Sequence, residues 1–169
     1  MRINPYTGAP LPTLKSTDAP PQIIRLRDQQ ADWKGVPVEE RCQKLRQSLN
    51  YFEKERDAIA ADISHEMGRP LKQALGEIDG LLERGHYLAS IAIDTLEPES
   101  LGSKDGFERA ILHEPLGVVF IISAWNYPLL ITINGVMASL LAGNTVLLKH
   151  ATQTLSIGAH FAHAFSDLV

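Results

Sequence analysis

The spacing of apolar residues predicts helices in the first half of the chain. After Pro37, apolar side chains recur every three or four positions over two long stretches, with a break near residues 53–56. Gly68 and Pro70 separate the two stretches, because glycine suits the residue after a helix and proline suits its first turn. The positions that carry the pattern are Cys42, Leu45, Leu49, Phe52, Ile59, Ile63 and Met67, then Leu71, Ala74, Ile78, Leu81, Leu82, Leu88 and Ile91.

The pattern changes between residues 95 and 115. Glu, Pro, Ser and Gly dominate residues 95–106, and this composition predicts a loop. The following segment, FERAILHEP, predicts a strand that ends at Pro115, since proline cannot donate to a strand ladder.

Beyond residue 116, short apolar runs alternate with a helical pattern. Residues 117–123 form a continuous β-branched run, which is typical of a strand covered on both faces. Residues 129–141 follow a helical period that Gly143-Asn144 ends, and residues 145–149 predict a second buried strand. A strand, helix and strand in this order form a right-handed crossover with parallel, neighbouring strands. The fold class is therefore α/β, and residues 154–168 predict a further helix.

Composition and charge restrict the classes of partner. The 169 residues are 44% hydrophobic and 21% charged, with a formal net charge of -4, so electrostatic capture of nucleic acid is not expected. Polar residues and glycines interrupt the longest apolar stretch, Leu129–Leu148, so we expect no membrane span. Residues 1–22 lack the apolar core of a secretory signal and predict an extended arm. The single Cys42 agrees with a reducing, cytoplasmic location.

Candidate functional residues follow both predicted parallel strands. In an open parallel sheet, ligands bind in the crevice at the carboxyl ends of the strands. Ser123 to Asn126 leave the first strand there, and Lys149 to Thr154 leave the second. We expect a Trp125 ring that walls the crevice, an Asn126 amide that can donate to an oxyanion, and a Lys149 ammonium that can reach a hydroxyl or phosphate.

These motifs together carry a family resemblance. The segment EPLGVVFIISAWNYPLLITINGVMASLLAGNTVLLKHATQT resembles the cofactor-domain entry of the aldehyde dehydrogenase superfamily. INPYTG near the start and ISHEMGRPL are also similar to the N-terminal region of that family. The resemblance implies an N-terminal portion: an arm at 1–22, a helical part at 23–94, a bridging and oligomerisation strand region at 95–115, and the first unit of an incomplete Rossmann-like cofactor domain at 116–169.

The resemblance also implies an activity and its residues. Members oxidise an aldehyde to a carboxylic acid with NAD or NADP, through a thiohemiacetal on a cysteine that lies downstream of the region matched here. Asn126 matches the asparagine of the oxyanion hole. The positions implied in cofactor binding are Ile122, Ser123, Ala124, Trp125, Lys149 and Thr152, with Lys149 on the adenosine ribose. A small aldehyde is the implied substrate, and a homodimer or homotetramer the implied state of the complete protein.

Two departures from the family pattern and the lack of a nucleophile within this chain qualify this interpretation. Ala124 replaces the more usual proline, and Thr152 stands where many members carry a glutamate that would repel a 2′-phosphate, so we hypothesise that NADP is tolerated. Cys42 lies on an apolar helix face and is not a candidate nucleophile, so we expect the 169-residue chain alone to be inactive.

Two other functions remain open for the chain, and no metal site is expected in it. The chain is alternatively a nucleotide-binding or subunit-pairing module without catalysis, or part of a relative that reduces acyl groups. His160 and His163 stand one turn apart on the last predicted helix, but no third ligand accompanies them, so no metal site is expected.

Overall fold

The computed structural model describes residues 2–13, 19–166 and 168. Six helices and four strands form the described part of the chain, with a short 3₁₀ turn at Thr152–Thr154. In chain order the elements are α1 (Ala19–Gly35), α2 (Val38–Lys54), α3 (Arg56–Met67), α4 (Leu71–Leu96), β1 (Glu99–Lys104), β2 (Phe107–Ile111), β3 (Val118–Ile122), α5 (Leu130–Leu141), β4 (Thr145–Lys149) and α6 (Leu155–Ala164).

The helical first half agrees with the apolar spacing. The predicted break falls at Glu55, between α2 and α3. Gly68 takes a left-handed conformation with φ of 76° and donates its N–H to the Ser64 carbonyl at 2.9 Å, which ends α3. Buried side chains of α2, α3 and α4 form a common core with α5 and α6.

The first helix differs from the prediction. Because α1 begins at Ala19, the predicted extended arm of residues 1–22 is too long by four residues at its C-terminal end. Pro20 and Pro21 stand in the first turn of α1, where a missing N–H leaves no hydrogen bond unmade. Trp33 anchors the far end of this helix, since its ring is 2% exposed and its Nε1 donates to the Leu140 carbonyl at 2.9 Å.

The predicted strand, helix and strand unit is confirmed. β3 and β4 pair in parallel, with Val118 opposite Thr145 and Ile122 opposite Lys149, and α5 forms the connection. The expectation that β3 is covered on both faces is wrong for this chain. Phe120 is 57% exposed and Ile122 is 68% exposed, and the alternation of a strand puts both side chains on the same face of this two-stranded sheet.

The predicted loop at residues 95–106 is also wrong. Helix α4 continues to Leu96, and Glu99–Lys104 forms strand β1, which pairs antiparallel with β2. The connection is a two-residue turn in which Asp105 and Gly106 have φ of 54° and 81°. All residues of both strands are exposed, so this ribbon projects from the helical core.

The last helix is shorter than its pattern. α6 ends at Ala164, and the predicted continuation to residue 168 is not observed; residues 167 and 169 lie outside the described part. Among the described residues, no helix is both long enough and apolar enough to cross a membrane.

Candidate active site at the carboxyl edge of the parallel strands

The two loops expected to form a crevice leave the sheet at the same edge. Ile122 pairs with Lys149 at the last position of the parallel ladder, and the Ser123 N–H donates to the Lys149 carbonyl at 3.1 Å. Because the strands run in the same direction, the segment after β3 and the segment after β4 both begin at this edge. The candidate site is thus built from the turn between β3 and α5 together with the end of β4.

Most of the predicted site residues present exposed side chains at this edge. Trp125 is 55% exposed and Ile122 is 68% exposed, although both are large and apolar. Among residues 2–13, 19–166 and 168, none hydrogen bonds to the side-chain amide of Asn126 or to the Lys149 ammonium. The remaining exposed positions are Ala124 and Thr152. Such free polar groups beside apolar surface are the features of a ligand site.

Ser123 differs from the other predicted positions because it is buried. Ser123 is 4% exposed, and its Oγ hydrogen bonds with Thr132 Oγ1. Thr132 Oγ1 also donates to the Pro128 carbonyl at 2.6 Å. The Ser123 hydroxyl therefore fixes the turn internally, which leaves its backbone as the part able to contact a ligand.

His150, directly after β4, completes this internal network. Its Nε2 lies 3.1 Å from the Pro128 carbonyl oxygen and its Nδ1 lies 3.3 Å from Thr154 Oγ1. A carbonyl only accepts, so Nε2 carries the hydrogen and Nδ1 accepts from the threonine. Burial lowers the pKa of His150, because the 5% exposed imidazole would lose hydration on becoming charged.

A buried carboxylate caps the helix that follows the turn. Glu77 of α4 is 6% exposed, and its Oε1 accepts from the backbone N–H groups of Leu129 at 2.9 Å and Leu130 at 3.2 Å. The first turn of α5 has no local side-chain cap, so a carboxylate from another helix satisfies its free donors. Burial raises the pKa of Glu77, while these two amides and Arg69 oppose that shift.

Arg69 links this carboxylate to the Asn126 segment. Its guanidinium donates from Nη1 to Glu77 Oε2 and from Nη2 to the Asn126 carbonyl oxygen. The guanidinium carbon also lies 4.4 Å from the centre of the Tyr127 ring. One side chain thus contacts the turn at two neighbouring residues and the capping carboxylate at once.

Sequence reasoning missed the residues that support the site. Glu77 lies within the apolar stripe of α4, between Ala74 and Leu81, and an acidic residue on an apolar helix face was the available signal. Arg69 and His150 carry no comparable signal, because their partners, which include the carbonyls of Asn126 and Pro128, are distant in sequence or lack a recognisable local pattern.

Within the described part of the chain, no group of three potential metal ligands comes together. Cys42 is buried in the helical core, and this burial raises the pKa of its thiol, which disfavours the thiolate form that nucleophilic attack requires.

The chain is similar to known proteins in both sequence and fold. A profile described as "Aldehyde dehydrogenase family" matches residues 2–168. A succinate-semialdehyde dehydrogenase [NADP(+)] of Deinococcus radiodurans is 36% identical over 88% of this chain and 32% of its own length. The chain spans about a third of the length of the curated relatives it matches.

Solved structures give the same relation. An NADP-dependent glyceraldehyde-3-phosphate dehydrogenase of Bacillus halodurans, complexed with NADP, superposes with a TM-score of 0.89 and 30% identity, over 98% of this chain and 37% of that chain. A succinic semialdehyde dehydrogenase of Streptococcus pyogenes in complex with NADP+ gives 0.88 and 26%, with the same coverage of 98% and 37%. The parallel strand pair with its carboxyl-edge turn, the order of the motifs and these matches lead to one conclusion: the chain belongs to the aldehyde dehydrogenase family.

Proposed function

We propose that this chain supplies part of the active site of an NADP-dependent semialdehyde dehydrogenase. The observation that carries the proposal is the position of Asn126: its side-chain amide is exposed at the carboxyl edge of the parallel strands and has no hydrogen-bond partner among the residues that the structure describes. The relatives named above supply the substrate class, since semialdehyde oxidation is what several of their names print. The substrate proposed is a small aldehyde that carries a second, acidic group.

The residues at the edge fit a dinucleotide cofactor. Exposed apolar side chains at Ile122 and Trp125 offer contact area for a planar ring system, and Lys149, opposite Ile122 in the ladder, has an ammonium with no partner among the described residues. The residues that would hold the cofactor are Ile122, Ser123, Ala124, Trp125, Lys149 and Thr152. When bound, the cofactor accepts a hydride from the substrate.

Thr152 supports NADP over NAD. A carboxylate at that position would repel the 2′-phosphate of NADP, whereas a threonine hydroxyl can donate to it. Thr152 is exposed in the turn that follows β4, and Lys149 stands at the end of the same strand. The cationic Lys149 and the neutral Thr152 therefore favour the cofactor with the additional anionic group, which is NADP.

Asn126 would act by donating a hydrogen bond to the oxygen that becomes negatively charged when a nucleophile attacks the aldehyde. A fixed amide donor in such a position contributes a factor of about 10²–10³ in kcat. Cys42 is buried, so the attacking thiolate of the proposed enzyme comes from sequence other than these 169 residues. For that reason the isolated chain is proposed to have no dehydrogenase activity.

The projecting β1 and β2 ribbon supports a role in assembly. Phe107 is 72% exposed and Ile111 is 45% exposed on this ribbon, which packs on no helix in the described part of the structure. We propose that the complete protein is a homodimer or homotetramer in which this ribbon contacts another subunit.

The proposed function is tested on the full open reading frame that contains this chain. Purified protein is assayed with succinate semialdehyde and either NADP+ or NAD+, for the wild type, Asn126→Ala and Asn50→Ala, the last being an exposed asparagine of α2. We expect Asn126→Ala to lower kcat by about 10²–10³ without weakening NADP+ binding, and Asn50→Ala to change neither. Full activity in Asn126→Ala would refute the proposal.

Cofactor choice has its own variant. Thr152→Glu is expected to raise the KM for NADP+ by at least about tenfold while leaving the KM for NAD+ within about threefold, because the new carboxylate repels only the 2′-phosphate. Equal effects on both cofactors would show that Thr152 does not contact that phosphate.

A further inference from the structure

We propose that Arg69 and Glu77 are positioning residues that hold the Asn126 amide in the direction catalysis requires. This inference rests on the proposed function, since it assigns the two residues to the same site. Neither side chain is proposed to contact the substrate. Both act through the turn formed by residues 123–128, named here the Asn126 turn.

The first half of the device is the cap on α5. Glu77 Oε1 receives the N–H groups of Leu129 and Leu130, and its side chain is 2% exposed. A buried, charged acceptor on two adjacent amides fixes the first turn of α5 against α4. Since the Asn126 turn runs directly into Leu129, this cap fixes the C-terminal end of the turn.

The second half is the guanidinium bridge. Arg69 reaches Glu77 with one nitrogen and the Asn126 carbonyl oxygen with the other, while its plane lies 4.4 Å from the Tyr127 ring centre. A planar fork with donors on two nitrogens makes these contacts together, and a lysine ammonium lacks both the fork and the flat face. The bridge therefore fixes the backbone of Asn126 itself.

These contacts control the Asn126 side chain because no other described residue does. Its amide forms no hydrogen bond in the described part of the structure, so its direction is set by the main chain at Asn126 and by the rotamers that this main chain permits. Holding the carbonyl of the same residue fixes that main chain. A displaced oxyanion donor costs up to about 10²-fold in rate for about 1 Å of error.

A purely structural role for the pair makes a different prediction. If Arg69 and Glu77 only stabilised the protein, their loss would lower the melting temperature and the yield, and the enzyme that remained folded would keep its kcat. A positioning role lowers kcat in folded enzyme and leaves the KM for NADP+ nearly unchanged, because Lys149 and Thr152 lie beyond the contacts of the pair.

The kinetic test uses the full open reading frame with Arg69→Lys, Arg69→Gln and Glu77→Gln. The matched control is Arg56→Gln. Arg56 begins α3 and forms an exposed ion pair with Asp79, which lies on α4 as Glu77 does, and it makes no hydrogen bond to the Asn126 turn in the described part of the structure. We expect all three test variants to lower kcat at least about tenfold with the KM for NADP+ changed less than about twofold. Arg56→Gln should retain wild-type values.

Arg69→Lys decides whether the fork matters. It keeps the charge beside Glu77 and is the mildest change for folding, so it remains informative where Arg69→Gln fails to fold. Full kcat in Arg69→Lys would overturn the proposal. A kcat within about threefold of that of Arg69→Gln supports it.

A spectroscopic test does not depend on turnover. The 169 residues contain two tryptophans, Trp33 in the core and Trp125 in the Asn126 turn. Labelling with 5-fluorotryptophan therefore gives one ¹⁹F resonance for each of them. Trp125→Phe assigns them. In Arg69→Lys we expect the Trp125 signal to shift or broaden and the Trp33 signal to stay in place. An unchanged Trp125 signal would overturn the proposal.

The two experiments separate this inference from the proposed function. If Asn126→Ala keeps full activity, the proposed function fails, and the ¹⁹F signal of Trp125 still decides whether Arg69 holds the turn. If Asn126→Ala is inactive while the Arg69 and Glu77 variants keep wild-type kcat, the proposed function stands and the positioning role is overturned.

Discussion

His150 is a neutral, buried imidazole between the end of β4 and the turn before α5. Burial lowers its pKa in the folded protein, whereas the unfolded chain titrates near the ordinary value of 6.5. Below that pH the unfolded state binds a proton that the folded state refuses, so stability present above pH 6.5 is lost on acidification. We expect the melting temperature to fall between pH 7.5 and 5.5, and to fall less steeply in His150→Gln.

The control for this prediction is His86→Gln, at an exposed position of α4. It should leave the slope of melting temperature against pH as steep as in the wild type. Glu77 has the opposite effect on acid stability from His150. Its pKa is raised on folding, so its protonation stabilises the folded protein. The comparison is therefore repeated in a Glu77→Gln background, which removes this opposing contribution. Identical slopes in the wild type and His150→Gln would contradict the assignment.

Two of the predicted site residues, Asn126 and Lys149, show what a sequence can indicate about a site. Asn126 and Lys149 were identified because a strand end followed by a polar side chain is visible in one dimension. Their roles stay predictions, although the parallel ladder brings their strand ends together as expected. Arg69 was not foreseen because its partner at Asn126 is a backbone carbonyl 57 residues away, which no local pattern encodes.

Helix α4 makes its tightest approach to α2 at Gly85. A Cβ added there would lie 2.7 Å from Leu49 Cδ1 and 2.9 Å from Cδ2, and Leu49 is fully buried, so it has little room to move. We expect Gly85→Ala to lower the free energy of unfolding by about 1–3 kcal/mol through overpacking. Urea denaturation of the purified protein measures this.

Gly76→Ala is the matched control on the same helix. An added Cβ at Gly76 meets nothing within 4 Å, so the variant removes a flexible glycine from a helix interior without a clash. We expect it to raise the free energy of unfolding by about 0.5–1 kcal/mol. The prediction fails if the two glycine variants change stability in the same direction.

Glu66 joins three elements through one buried carboxylate. Its side chain is 3% exposed and accepts from Arg2 at 2.7 Å, from the Ser156 N–H at 3.2 Å and from Ser156 Oγ at 2.8 Å. It therefore ties the N-terminal residues to the end of α3 and the start of α6. Glu66→Ala should lower the free energy of unfolding by about 3 kcal/mol, because a buried cation loses its partner.

Glu53→Ala provides the comparison for Glu66. Glu53 is paired with Arg56, but 56% of its side chain is exposed, so its removal should cost less than about 1 kcal/mol. Chemical denaturation gives the two energies. Trypsin cleavage after Arg2 should also be faster in Glu66→Ala, since the ion pair no longer holds that side chain. Equal costs for the two variants would contradict the buried role of Glu66.

Apolar periodicity predicted the helices and strands that bury one face and missed the elements that do not. Helices α2 to α5 carry their pattern because one face of each is buried. Strand β1 was missed because Glu99–Lys104 is polar and exposed on both faces, and the hairpin signal of Asp105-Gly106 was read as part of a loop. Pro20 and Pro21 similarly concealed the start of α1.

Exposed apolar side chains are unevenly distributed over the described part of the molecule. The helices share one core, whereas Phe107 on β2 and Phe120 on β3 are exposed on strands with open edges. Exposed apolar side chains on unpaired strand edges promote association. The chain spans about a third of the length of its relatives, so protein surface from outside these 169 residues has room to cover these strands in the proposed complete enzyme.

The isolated 169-residue chain should therefore self-associate. Sedimentation velocity over a range of concentrations is expected to show species larger than the monomer for the wild type. The double variant Phe107→Lys/Phe120→Lys should shift the population toward monomer, because each change places a charge on an exposed apolar strand. Tyr87→Lys, at a 53% exposed position of α4, adds a charge away from the strands and should leave the association unchanged. A monomeric wild type that unfolds cooperatively, or equal rescue by Tyr87→Lys, would show that the strand surfaces do not drive association.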